Sequence, residues 1–340
     1  MKEQTLNRFS PLQLGSRVAL KNRVVVPPMA SQSASIDGIA TPATKEHYAR
    51  LATSGAGLLL VEYTYVHSSG RSEDHQLGLS TDTHISGLSD LAKIIHQSGA
   101  IAGLQLTHSG GKSSRALTEG KLMGPSGIDV PVKGQILERP DPMSIQDIEL
   151  WQSSFVEAAS RALAAGFDLV EFHAAHGYGL NQWLSPITNQ RLDEYGETFE
   201  GRIRILLEII QRVKMMHPEL LISVRIPGQD FLEGGLKVRD SIKLAKALEN
   251  IGVNIINVSS GIGGWRRPST RSGEGYLVDE AAEIQAALTI PVIGVGGIET
   301  GGYIDQGVQF NRFSLAAVGR AILDNPKAWC ETHLSLNERN

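Results

Sequence analysis

The stretch V-E-F-H-A-A-H-G-Y-G-L-N-Q-W-L-S-P-I-T-N-Q-R-L-D-E-Y, from Val170 to Tyr195, decides how this chain is read. It opens inside an apolar strand, residues 169–173, in which Glu171 points to the opposite side from Phe172. Three polar rings follow at once, because His173, His176 and Tyr178 stand where the strand gives way to a loop. Two imidazoles and a phenol this close in sequence can hold an anionic oxygen and deliver a proton beside it. In a parallel α/β barrel the C-terminal ends of the strands are where chemistry sits. The segment makes sense as one stave of such a barrel, provided seven others exist.

Working outward, they do. Short apolar runs at residues 24–29, 57–63, 101–106, 221–226, 255–258, 292–295 and 315–319 complete a set of eight strands. Helical patterns at 86–96, 145–165, 199–217, 239–249 and 279–287 lie between them. Gly55, Gly99, Gly166 and Gly252 fall where those helices should end. The reading is an α/β fold, a (β/α)₈ TIM barrel formed by residues 1–340 as a single domain. A doubly wound sheet would not need eight evenly spaced repeats.

Composition fits that class. With 340 residues, 41% of them hydrophobic, the chain can bury a large core. A net charge of −4 offers no basic face for nucleic acid. No run approaches the ~18 apolar residues that a membrane span requires. The start MKEQTLNRF does not resemble a signal peptide. The one cysteine, Cys330, falls in a C-terminal helical pattern as an idle thiol and suggests a reducing compartment, the cytoplasm.

Two connections exceed what a barrel needs. Residues 112–142 are rich in Gly and Pro and read as an excursion over the barrel mouth. Residues 259–275, rich in Gly, Ser and Arg, follow the sixth strand. At the seventh and eighth strands Gly296-Gly297 and Gly319-Arg320 lie where such barrels bind phosphate, through backbone N–H groups and one guanidinium. No G-x-G-x-x-G occurs, so a mononucleotide or a phosphorylated substrate is expected rather than a Rossmann-bound dinucleotide. No metal site is expected, since His173 and His176 lack an obvious third ligand. Gln105, late in the third strand, and Arg225, late in the fifth, converge on the same mouth. A buried arginine there suggests a partner with developing negative charge. Pro27-Pro28-Met29-Ala30 forms a stiff turn suited to the edge of a flat ring.

Taken together these segments resemble the Old Yellow Enzyme family of FMN-dependent ene-reductases, from Asn22-Arg23-Val24 to Asp324-Asn325-Pro326. The most specific match is His173 to Tyr195, which is similar to the family's H-A-A-H-G-Y-L-L-N-Q-F-L-S-P-x-x-N-x-R-x-D-E-Y signature. The resemblance implies FMN across the barrel mouth and NADPH or NADH as reductant. It implies ring contacts from Pro28, Met29, Ala30, Gln105 and the backbone of Tyr63. Arg225 would face the N1–O2 edge, and Gly296, Gly297, Gly319 and Arg320 would hold the phosphate. His173 and His176 would bind the carbonyl or nitro oxygen of an activated alkene, with Tyr178 as the proton donor. A homodimer or higher homo-oligomer also fits the family, with Arg339 as a residue able to reach a neighbour.

The chain departs from the family at several points. Ala30 stands where Cys or Thr usually hydrogen-bonds the flavin, which predicts an altered potential. Gln32 stands where one branch has tyrosine, Tyr63 where a small residue is usual, and Gly111 where H-x-G-R has arginine. Trp265-Arg266-Arg267 matches no family element. Two rival readings stay open at this point. One is a non-redox barrel isomerase or lyase that grips a phosphorylated substrate and uses His176 as base. The other is a flavin-binding paralogue without ene-reductase activity. A multi-cofactor dienoyl reductase is disfavoured, because one cysteine cannot hold an iron–sulfur cluster.

Overall fold

A computed structural model describes residues 5–16, 18–265 and 267–335. Two short strands, β1 (Leu12–Leu14) and β2 (Val18–Leu20), form an antiparallel hairpin ahead of the barrel. The first staves are β3 (Val24–Val26), β4 (Leu58–Tyr65) and β5 (Ile101–Thr107). Outside the barrel, β6 (Met123–Gly124) pairs with β7 (Asp141–Pro142) in the long excursion. The remaining staves are β8 (Leu169–His173), β9 (Leu221–Pro227), β10 (Ile255–Ser259), β11 (Val292–Gly294) and β12 (Leu315–Ala317). The eight staves pair in sequence order and close when β12 meets β3, giving the expected TIM barrel.

The strand ends differ from the sequence reading for local reasons. β3 stops at Val26 instead of residue 29, because Pro27 and Pro28 have no N–H to give the ladder. The helices agree within a residue or two. Ile145–Ala164 starts at a capping box in which the Ser144 hydroxyl accepts from the Asp147 N–H and the Asp147 carboxylate accepts from Ser144. It buries Trp151, Phe155, Ala158 and Ala162 at helical spacing. It ends at Gly166, whose φ of +90° few other residues tolerate. Besides the short helices Gly179–Leu184 and Arg320–Asp324, two longer ones went unread, Pro42–Ala52 and Gly301–Gln309. The first is mostly polar and the second begins with two glycines, so neither shows a clear apolar stripe; Tyr48, Leu51, Ile304 and Val308 anchor them.

Inside the barrel the strands carry two layers. At the bottom, Leu14 and Leu20 of the hairpin plug the end against Leu58, Leu60, Leu169, Leu221, Ile255, Ile293 and Leu315. The Arg23 guanidinium fixes that plug by donating to the carbonyls of Ser10, Pro11 and Ser314. One pleat higher the inward positions turn polar. Gln105, Glu171 and Ser223 lie level across β5, β8 and β9, and His173, Arg225 and Asn257 lie level across β8, β9 and β10. This polar layer is the floor of the mouth.

Candidate active site

Glu171 is the hub of that floor. It is fully buried and accepts from Gln105 Nε2 at 2.8 Å, Ser223 Oγ at 2.8 Å and Asn257 Nδ2 at 2.9 Å. Burial raises its pKa, while Arg225 and these donors pull it back down. Arg225 is buried beside it and donates one bond, Nη2 to Ser259 Oγ at 3.3 Å. Its Nε has no partner among the described residues. Such an orphan is costly when buried, so the guanidinium is held ready for something in the mouth.

His173 ends β8 in the upper row of this layer, level with Arg225. Its ring centroid is 5.0 Å from that of His176, nearly perpendicular, and 4.8 Å from that of Tyr178. His173 Nδ1 is a second buried atom without a partner among the described residues. Burial first, then the Arg225 charge, holds both imidazoles well below their usual pKa, so both are neutral at pH 7. His176 sits at φ +61°, a left-handed conformation uncommon outside glycine. It is held there by its N–H to Ser260 O at 3.2 Å and by Nε2 to Ser259 Oγ at 2.6 Å. That hydroxyl ties down one ring nitrogen and leaves the other for a ligand.

The rest of the signature clamps this loop. Gln182 Nε2 donates to the carbonyls of Gly177 and Ser109, its Oε1 accepts from the Gly111 N–H, and Asn181 Oδ1 accepts from Gly177. Tyr178 is buried, and the Lys112 ammonium lies 3.9 Å from its ring centre while donating to His176 O at 2.9 Å. Burial pushes the Tyr178 phenol up to about 12 and the Lys112 ammonium down to about 8.

Met29, His176, Arg225, Gly296, Gly297, Gly319 and Arg320 line one cleft, together with Trp265 and Tyr276. Gly296, at φ +123°, lies so close to the Tyr276 and Leu277 backbone that a side chain would collide there. Tyr178 opens onto an adjoining polar cleft shared with Ser72, Glu73 and Lys112. Gln105 lies a layer lower, bound to Glu171, while Pro28 and Ala30 flank Met29 at the rim. The long excursion covers the mouth as expected, with Val130 and Val132 packed on Ile262 of the loop after β10.

The departures find places too. Gly111 lies under Pro140, where any side chain would need room that is not there. Gln32 faces outward and donates to Glu73 at 2.9 Å. Tyr63 stacks on Tyr178 with centroids 5.4 Å apart. Trp265 is exposed yet lines the same cleft as Arg225 and Arg320, and Arg267 covers the Tyr276 ring at 5.4 Å. Arg266 and Arg339 lie outside the described residues. Sequence reasoning missed Ser259, Lys112 and Glu73. Only Ser259 carried a usable signal, as the next inward position after Asn257 on β10.

Comparison with known proteins identifies the family. Residues 7–336 match the model of the NADH:flavin oxidoreductase / NADH oxidase family. An NADH oxidase of Thermoanaerobacter brockii is 36% identical over 94% of this chain, which spans 50% of that longer protein. An NADPH dehydrogenase of Geobacillus sp. (strain WCH70) is 37% identical over 94% of this chain and 91% of its own length. The solved structure of an old yellow enzyme homologue from Zymomonas mobilis superposes with a TM-score of 0.82 at 23% identity, covering 95% of this chain and 91% of its own, a likeness of fold. The chain belongs to the NADH:flavin oxidoreductase / NADH oxidase family, the Old Yellow Enzyme family, and is an NAD(P)H-dependent FMN oxidoreductase.

Proposed function

We propose that this oxidoreductase reduces electron-poor C=C bonds in α,β-unsaturated carbonyl or nitro compounds. The observation that carries the reading is the pair of neutral, mutually perpendicular imidazoles beside a protonated phenol, the first imidazole level with a buried arginine.

The donor set fits FMN. Arg225 Nε and His173 Nδ1 are buried polar atoms that the described protein leaves open. Arg225 would meet the electron-rich edge of the ring, and Pro28, Met29, Ala30, Gln105 and the Tyr63 backbone would surround it. Gly296, Gly297, Gly319 and Arg320 would hold the phosphate. When bound, FMN supplies the hydride, taken from NADH or NADPH and passed to the alkene β-carbon.

The chain's own residues do the rest. His173 and His176 donate to the activating oxygen of the alkene, and those bonds strengthen as charge builds on it, favouring the transition state over the ground state. Neutral imidazoles suit this role, since each keeps an N–H without adding a buried cation beside Arg225. Tyr178 stays protonated at neutral pH and gives its proton to the α-carbon; Lys112 over the ring offsets the charge left behind. No helix among the described residues is long and apolar enough to cross a membrane. The single cysteine supports a reducing compartment, and on that ground we place the enzyme in the cytoplasm.

The test is an anaerobic titration of the yellow protein with NADH and with NADPH, followed by a maleimide or cyclohexenone. The colour should bleach and then return on addition of the alkene. Bleaching without recovery would leave a flavin reductase of another kind. A colourless protein that takes up no added FMN would overturn the reading outright.

A further inference from the structure

We infer that Ser259 is a positioning residue whose hydroxyl fixes the tautomer of His176, so that Nδ1 carries the ring proton and is the donor offered to the alkene's oxygen. The inference rests on the ene-reductase reading above. A neutral imidazole has one N–H and one bare nitrogen, and it can donate to a ligand only if the N–H is on the open side. Ser259 decides which side that is. It ends β10, is buried, and its carbonyl accepts from the Gly228 N–H at 2.8 Å, which holds the backbone in place. Its hydroxyl oxygen lies 3.3 Å from Arg225 Nη2 and 2.6 Å from His176 Nε2. His176 is itself tied by its backbone N–H to the carbonyl of Ser260 at 3.2 Å, so the ring and the hydroxyl stay in register.

The two contacts of that hydroxyl are not equivalent. A guanidinium can only donate, so Arg225 occupies a lone pair of Oγ and leaves the hydroxyl proton to be placed. His176 Nε2 is the other partner of Oγ among the described residues. Were Nε2 a donor as well, two donors would converge on one oxygen and the hydroxyl proton would be buried without an acceptor. Burial makes such a loss costly. With the hydroxyl donating to Nε2, every group is used, and the ring proton falls to Nδ1. Arg225, Ser259 and His176 then form one donor chain, each bond polarising the next, that ends at an imidazole lining the same cleft as the arginine.

The measurement is nitrogen NMR of the resting holoenzyme carrying isotope-labelled histidine, with the His176 signals assigned by their loss in His176→Asn. In the wild type His176 should show a protonated Nδ1 and a bare Nε2. A protonated Nε2 would overturn the assignment without recourse to any Ser259 variant. Ser259→Ala should leave both tautomers populated, and Ser259→Thr, which keeps a hydroxyl, should restore the wild-type pattern. A wild-type pattern retained in Ser259→Ala would show that the hydroxyl does not set it. The second readout is the affinity of the oxidised holoenzyme for a phenolate, whose anionic oxygen stands in for the charged oxygen of the alkene. It should fall on the order of tenfold in Ser259→Ala and return to within about twofold of wild type in Ser259→Thr. Equal affinity in the wild type and Ser259→Ala would sink the positioning role. A wild type that shows the expected tautomer and binds the phenolate, yet is reoxidised by no alkene, would fault the ene-reductase reading and leave the tautomer standing.

Discussion

β8 passes through both layers of the barrel interior within five residues, Leu169 below and then Glu171 and His173 above. The lower layer is closed on itself. Its leucines and isoleucines fill the barrel end, and the hairpin seals them from water. The upper layer is bound together below but left open above, with Arg225 Nε and His173 Nδ1 lacking partners among the described residues. One strand therefore spends its first inward position on stability and its last on chemistry. Stability and activity should separate when the two levels are substituted in turn.

The largest effect is expected at the bottom. Leu169→Ala should cost about 4 kcal/mol of unfolding free energy, read by chemical denaturation, with alkene turnover of the folded enzyme nearly unchanged. An equal loss of turnover would mean that the two levels are not independent. At the top, His176→Ala should reverse the pattern, losing about 3 kcal/mol in kcat/KM for alkene and under ~1 kcal/mol in stability. A third test uses Glu62, buried at the rim, where its carboxylate accepts from the Ser31 N–H and hydroxyl, both at 2.5 Å. Burial raises its pKa from 4.5 to about 7, against the pull of those donors. The folded protein therefore binds this proton more tightly than the unfolded chain. Its contribution is fully present below pH 4.5 and is lost as pH rises to about 7, up to about 3 kcal/mol in all. Glu62→Gln should flatten that part of the stability–pH profile, and a profile unchanged by the substitution would contradict the assignment. The smallest effect is Arg225→Lys, which keeps the charge but not the planar fork. It should weaken FMN by about 1 kcal/mol, measured by fluorescence titration, and leave thermal unfolding of the apoprotein close to wild type.

The lower layer was largely legible in the sequence, because apolar runs of strand length, four of them preceded by a helix-ending glycine, can be found one segment at a time. His173, His176 and Tyr178 were legible for the same reason, being neighbours along the chain. The floor beneath them was not. Glu171 gains meaning only when β5, β9 and β10 bring Gln105, Ser223 and Asn257 to it, and no local pattern sets that register. Ser259 and Lys112 reach His176 from 83 and 64 positions away, and Tyr63 meets Tyr178 across the mouth. The hairpin plug was missed because its strands are three residues each and partly exposed, too short to show a period.

The barrel is sealed where Val24 and Val25 meet Ala316 and Ala317, so its last stave must find its first across nearly the whole chain. Closing so large a loop is entropically expensive, and contacts this distant in sequence slow folding. While the polypeptide emerges from the ribosome, β3 is a raw edge waiting for a partner not yet synthesised, and such edges recruit other chains. Damage along this seam should appear first as aggregated, poorly recovered protein, before any change in the enzyme that does complete its ring.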